Sequence, residues 1–219
     1  MASCEAKKDM RTVPQRLLEV EEINERLGRV LHGRYTDERR LTLPLAYLNL
    51  SLDHHRAIIL LMRNGLHGSA LALVRLVFEA MIRAHWIVKC ASDAQVEKAA
   101  EDDNFKFPKM DDMAKAVDQA FSDPNEPNTF FQQAKTDAWR ATNSYTHSGL
   151  LQLARQFTGD CLEASYPEED LISGLNAATA SVLMLGLLIA LFTGQHGKAD
   201  DIEKLFAFGE TEVRGSRQV

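Results

Sequence analysis

The sequence predicts an all-α fold, a single helical bundle of six or seven helices built on a buried central helix hairpin. Three observations carry that reading. Ser69 to Cys90, SALALVRLVFEAMIRAHWIVKC, is apolar almost all the way round at helical period, the mark of a helix buried on every side. Ala177 to Thr193, AATASVLMLGLLIALFT, is a second apolar run of 17 residues. The 219 residues hold only 12 Gly and 6 Pro, with few alternating β-branched stretches, so little material is left for sheets.

Residues 1–13 are expected to form a disordered N-terminus, and MASCEAKKDMRTVPQRL has no apolar stretch of the kind a secretory leader needs. Pro14 suits the first turn of a helix, and Leu17, Leu18, Ile23, Leu27, Val30 and Leu31 recur at roughly helical steps, so the first helix should run from Pro14 to His32. A second should start near Thr42 and Pro44 and end at Asn64. Its polar residues Asn49, Asp53, Arg56, Arg63 and Asn64 form a stripe within about 100° on a helical wheel. The connector Gly65-Leu66-His67-Gly68 is short enough to fold the third helix, Ser69 to Cys90, back antiparallel on the second.

Ser92 and Asp93 cap a short helix reaching about Glu101, and another should span Asp111 to Phe121. Ser122 to Asn128 contains two prolines and reads as a turn-rich loop. From Thr129 a long helix should continue to about Phe157, with a kink expected at Ser148-Gly149. The last major helix, Leu171 to Thr193, completes a domain of residues 14–208, and residues 209–219 are expected as a disordered tail.

The formal charge of -6 is concentrated between Ala91 and Asn128, where ten acidic residues meet four basic ones. That balance excludes a broadly basic nucleic-acid surface, although Arg26 to Arg40 supplies a local excess of arginine. Cys4, Cys90 and Cys161 are widely spaced and odd in number, which fits reduced thiols in a cytoplasmic protein. His54, His55, His85 and His147 show no paired ligand spacing, and neither a Walker pattern nor G-x-G-x-x-G can be written. No metal and no cofactor are expected.

Charge on a buried helix must be paired, so Arg75, Glu79 and Arg83, at i, i+4 and i+8, should form an internal polar line. Reflection about the hairpin midpoint sets Glu79 level with His54, and Asp53 and Arg56 within a turn of it. A buried cluster of Asp53, His54, Arg56, Arg75 and Glu79 is therefore expected. It would serve to fix helix register or to support a site, and the sequence leaves both open.

On the long helix, Arg140, Ser144 and His147 share a face, with Asn143 beside them, while Phe131, Ala138, Tyr145 and Gly149 face the core. An imidazole can move a proton near neutral pH and a guanidinium can hold a phosphate, the minimum set for cutting RNA without a metal. The segment RATNSYTH, an Arg and a His with six residues between them, resembles the R-x4-6-H motif of the higher-eukaryote-and-prokaryote nucleotide-binding (HEPN) superfamily. LDHHRAIILLMRNGLHGSALALVRLVFEA followed by NSYTHSG is also similar to bacterial helical families of unknown function near that superfamily, and the likeness covers Leu43 to Phe157. It implies a small all-helical domain, His147 as acid and base, Arg140 as phosphate ligand, and a metal-independent ribonuclease of a toxin or phage-defence system. Ala141 stands where active members usually carry a polar residue.

Two function classes stay open: such a ribonuclease or nucleotide-acting domain, with RNA as its partner, and a non-catalytic helical module that binds a partner protein or a small anion. The apolar helices would also suit a homodimer with two Arg140–His147 faces near one interface. The run Ala177 to Thr193 approaches the length of a membrane span, but two other near-apolar helices need an apolar partner. We expect a core helix and no membrane: fractionated cells should leave the protein in the detergent-free supernatant, and recovery in carbonate-washed membranes would contradict it.

Overall fold

The computed structural model describes residues 12–33, 39–123, 125 and 127–215, with side chains 137–140 and 208–215 left aside. The chain is all-α. Nine helices form among the described residues: α1 (Val13–Leu31), α2 (Arg39–Arg63), α3 (His67–Lys89), α4 (Asp93–Glu101), α5 (Met110–Phe121), α6 (Phe130–Thr146), α7 (Leu150–Ala154), α8 (Glu168–Phe192) and α9 (His196–Gly215). An antiparallel bridge pairs Thr158 with Cys161.

The count exceeds the expected six or seven for two reasons. The long helix after Thr129 does not kink but stops: Ser148 takes a left-handed φ of 52°, Gly149 N–H donates to Ser144 O at 2.7 Å, and α7 starts afresh at Leu150. A further helix, α9, forms after Thr193 because Ala199, Ile202 and Leu205 recur at helical spacing and are buried, and it continues to Gly215, over part of the tail expected to be disordered. The expected disorder of residues 1–13 falls on 1–11, which lie outside the described residues; Thr12 caps α1 through a capping box with Gln15.

Helices α3 and α8 fill the middle. α3 packs on α2, α5, α6 and α8, while α8 packs on α1, α2, α3 and α9. They meet closely at Gly174, where a Cβ would lie 2.5 Å from Leu71 Cδ2. α8 is long and apolar enough to cross a membrane, yet 61% of its most apolar window is covered by the protein itself. α2 and α3 run antiparallel, since Arg40 at the start of α2 donates to Ile87 O (2.7 Å) and Ala91 O (2.9 Å) at the end of α3. Those contacts cap the α3 carbonyls and place a cation at the negative end of its dipole. α2 is less enclosed than its composition implies, with Leu50 and Leu60 exposed on its outer side.

One polar chain, buried at Asn24, His55 and Thr179, joins three helices. Arg56 Nε donates to Asn24 Oδ1 (3.1 Å), which fixes the amide so that Asn24 Nδ2 donates to His55 Nδ1 (2.8 Å). His55 Nε2 then carries the proton and donates to Thr179 Oγ1 (3.0 Å), and Thr179 donates to Leu175 O (2.7 Å). Every group is satisfied, so its burial is tolerated. Burial, with Arg16 nearby, pushes the His55 pKa down to about 3. His85, whose Nδ1–H donates to Met81 O at 2.8 Å, is likewise pushed down to about 4 by burial.

Both imidazoles stay neutral in the folded protein at pH values where the unfolded chain binds protons. Between pH 4 and 6.5 the unfolded state therefore holds more protons, and stability falls as pH falls. Each histidine should remove about 2 kcal/mol between roughly pH 7 and pH 5. Urea unfolding at the two pH values should show the loss, and His55→Gln should shrink it by one histidine's share. An unchanged pH dependence in that variant would contradict the buried neutral state.

Candidate functional site

Helix α6 lies across α3, and three attachments hold it there. At its N-terminus the buried Asp118 carboxylate of α5 accepts from Phe131 N–H and Gln132 N–H at 2.9 Å each, satisfying two free amides and complementing the dipole. Along its length Phe131, Thr142 and Tyr145 are buried, and Thr146 Oγ1 reaches Ala72 O of α3 at 3.3 Å. At its C-terminus Ser144 Oγ accepts from Leu151 N–H (3.1 Å), and a Cβ on Gly149 would come 2.6 Å from that oxygen. Ser144 thus caps the following helix.

Beneath α6 runs the charged line of α3. Arg75 Nε donates to Glu79 Oε1 at 2.6 Å, and Arg83 Nη2 donates to Glu79 Oε2 at 3.2 Å, so one carboxylate is shared by two guanidinium groups. Arg75 Nη1 also donates to Asn143 Oδ1 on α6. Arg83 stands 5.1 Å from the Phe107 ring centroid, a cation–π contact, and its Nε is buried without a hydrogen bond. Tyr47 of α2 sits against Arg83; burial raises its hydroxyl pKa, and the guanidinium opposes that rise.

This differs from the cluster anticipated from sequence. The line is mostly buried at Arg75 and Glu79, whose side chains are 14% exposed, and opens to water at Arg83, 34% exposed. Asp53, His54 and Arg56 do not join Arg75 and Glu79. Asp53 and Arg56 form a mostly exposed pair at 3.8 Å, Arg56 turns to Asn24 of α1, and His54 is half-buried elsewhere on α2. Reflection about a hairpin fixes height along the helices and not rotation about them. α2 turns Ser51 and His55 to the core, so Asp53 and His54 fall to the side.

Of the three residues expected to do chemistry, Asn143 is exposed and tied to Arg75, and His147 is exposed one turn further on, at the C-cap of α6. Arg140 belongs to α6 by its backbone, and its side chain lies outside the described residues, as does that of Ala138. Among the described residues no three His, Cys, Asp or Glu side chains gather as metal ligands. Sequence reasoning missed Tyr47 and Phe107, the partners of Arg83. Tyr47 had a signal, since it falls within a turn of the level of Arg83 in the antiparallel hairpin, whereas Phe107 comes from an irregular segment that no periodicity places.

Chemically the arrangement offers two cations and one anion under a helix face that carries an amide and an exposed imidazole. Removing Glu79 would leave Arg75 and Arg83 facing each other, partly desolvated, with no carboxylate between them. We expect Glu79→Ala to lose about 2 kcal/mol, less than a fully buried pair because water reaches the site. Asp112→Ala, at an exposed position of α5, should stay within about 0.5 kcal/mol of the parent. Equal urea midpoints for the two variants would show that the line contributes nothing to the fold.

No curated protein and no solved structure matches the chain. Residues 48–208, from the first half of α2 into α9, match the model of a family of unknown function, DUF6988, and the chain belongs to that family.

Proposed function

We propose that the exposed face of α6, with His147, Asn143 and Arg140 backed by Arg75, Glu79 and Arg83, holds the phosphodiester of RNA and cleaves it without a metal. The observation that carries this is the hydrogen bond from Arg75 to Asn143, which ties the α6 face to a line with one net positive charge in a chain of net charge -6. The resemblance of RATNSYTH to the R-x4-6-H motif supports the same assignment. His147, whose exposed imidazole makes no hydrogen bond among the described residues, takes the proton of the ribose 2′-hydroxyl as that oxygen attacks phosphorus. The imidazolium then returns a proton to the departing 5′-oxygen, while the guanidinium groups stabilise the charge on the phosphoryl oxygens. In this reading the protein is a cytoplasmic toxin or phage-defence component, a single bundle around the α2–α3 hairpin that acts as a homodimer.

A second reading, a non-catalytic module binding a small anion or a partner protein, is favoured by one observation: both Glu79 oxygens are already taken by arginines, as is Asn143 Oδ1. The two readings separate when purified wild type and His147→Ala are compared in EDTA. The catalytic reading expects the wild type to cut RNA and the variant to lose about 10²–10⁴-fold in rate. Because His147 is exposed, its unfolding midpoint should stay within about 0.5 kcal/mol of the parent. A wild type that cuts no RNA but is stabilised by pyrophosphate would establish the anion-binding module instead.

A further inference from the structure

At the opposite end of α6, about 25 Å along the helix from His147, a cavity of about 320 Å³ opens between the ends of α3, α5, α6 and α8. Its wall is apolar, with Phe121, Phe130, Phe131, Met184, Leu188 and Phe192 lining it, and its volume lies at the lower end of the ~300–1,000 Å³ of small-molecule pockets. Three polar groups meet this wall. Lys89 holds its ammonium 5.0 Å from the Phe121 centroid and 4.6 Å from that of Phe192. His85 is 2% exposed and stacks near Phe121 and Phe131, and with Nδ1–H given to Met81 O, its Nε2 keeps a lone pair without a partner among the described residues. Asn128 accepts from Phe130 N–H through Oδ1 (3.1 Å), which leaves its NH₂ as a donor.

The charge of Lys89 decides what this cavity suits. Its place in the last turn of α3 is favourable to the helix dipole, but no acidic side chain pairs with it among the described residues. Its ammonium lies against two aromatic rings of the lining and is exposed, so a ligand with an apolar body would bring an anionic group to the ammonium and the Asn128 amide. One cation and one amide match a single carboxylate, and a half-open space of this size takes one chain or ring system and not two. We propose that this cavity binds a monocarboxylate with an apolar body, of the medium-chain fatty acid class, with Lys89 as the carboxylate partner.

The full chain should be titrated calorimetrically with decanoate and with decanol below their aggregation limits, for the wild type, Lys89→Met and Met184→Trp. The wild type should bind one decanoate at least about 10-fold more tightly than decanol. Lys89→Met, which keeps the apolar stem, should bring decanoate down to the level of decanol and leave decanol unchanged. Met184→Trp, which fills the cavity, should abolish both, with folding checked by its thermal midpoint. Equal affinity of the wild type for acid and alcohol, preference for the acid retained in Lys89→Met, or saturable binding of neither would overturn the assignment. So would a wild-type dimer that decanoate does not dissociate and Met184→Trp does, since a second copy would then be the occupant. RNA cleavage plays no part in these readouts, so the assignment stands or fails independently of the α6 face.

Discussion

Two helices of this chain, α3 and α8, are apolar over most of their circumference, and each fully buried Leu, Ile, Val or Phe on them stabilises the fold by about 1.5–3 kcal/mol. Their contact through Gly174 and Leu71 brings the backbones close, and the other helices are then placed by the need to cover what remains exposed. α1, α2 and α9 cover α8, while α2, α5 and α6 cover α3. The amphipathic helices need no strong preference of their own for these positions. An apolar stripe on each is enough, because the central pair supplies the surface on which the stripe is buried.

Polar groups enter this core by two different solutions. The chain from Arg56 through Asn24 and His55 to Thr179 is neutral at its buried centre, and each donor meets one acceptor, so it fixes the relative rotation of α1, α2 and α8 without the cost of buried charge. The line of Arg75, Glu79 and Arg83 keeps its charges and lies where water still reaches it. A cationic line at that depth gains less for the fold than its pairing would in a dry interior, yet it can still hold an anion. The first solution suits a structural joint and the second a binding surface.

How far each of these was legible follows from the kind of signal each leaves. The identity of α3 and α8 as core helices is written in composition, and the pairing of Arg75, Glu79 and Arg83 in their four-residue spacing. The choice of His55 over His54 is not written there, because adjacent residues on a helix differ by about 100° and only the packing of α1 and α8 decides which one is turned inward. Asp118 as the cap of α6 left no mark either: it belongs to another helix, and N-cap reasoning looks only at the residues just before the first turn. The break at His147 was foreshadowed by Ser148-Gly149, but its form depends on Ser148 adopting a left-handed backbone.

The position of α6 follows from these attachments more than from its own burial. Fewer of its residues reach the core than on α3 or α8, so the Asp118 clamp, the Arg75 to Asn143 bond and the Ser144–Gly149 closure carry a larger share of what holds it. Glu79 then acts on α6 without touching it. By holding Arg75 Nε at 2.6 Å it orients the guanidinium whose other face reaches Asn143. An aliphatic replacement at that position frees the guanidinium to rotate toward water, so the α6 face loses both a tether and a directed cation. Asp118 works at the other end in the same way, since the amides it holds belong to Phe131 and Gln132, and Phe131 forms part of the apolar cavity wall. The two ends of α6 are therefore set by two carboxylates on neighbouring helices, Glu79 and Asp118, neither of which belongs to α6 itself.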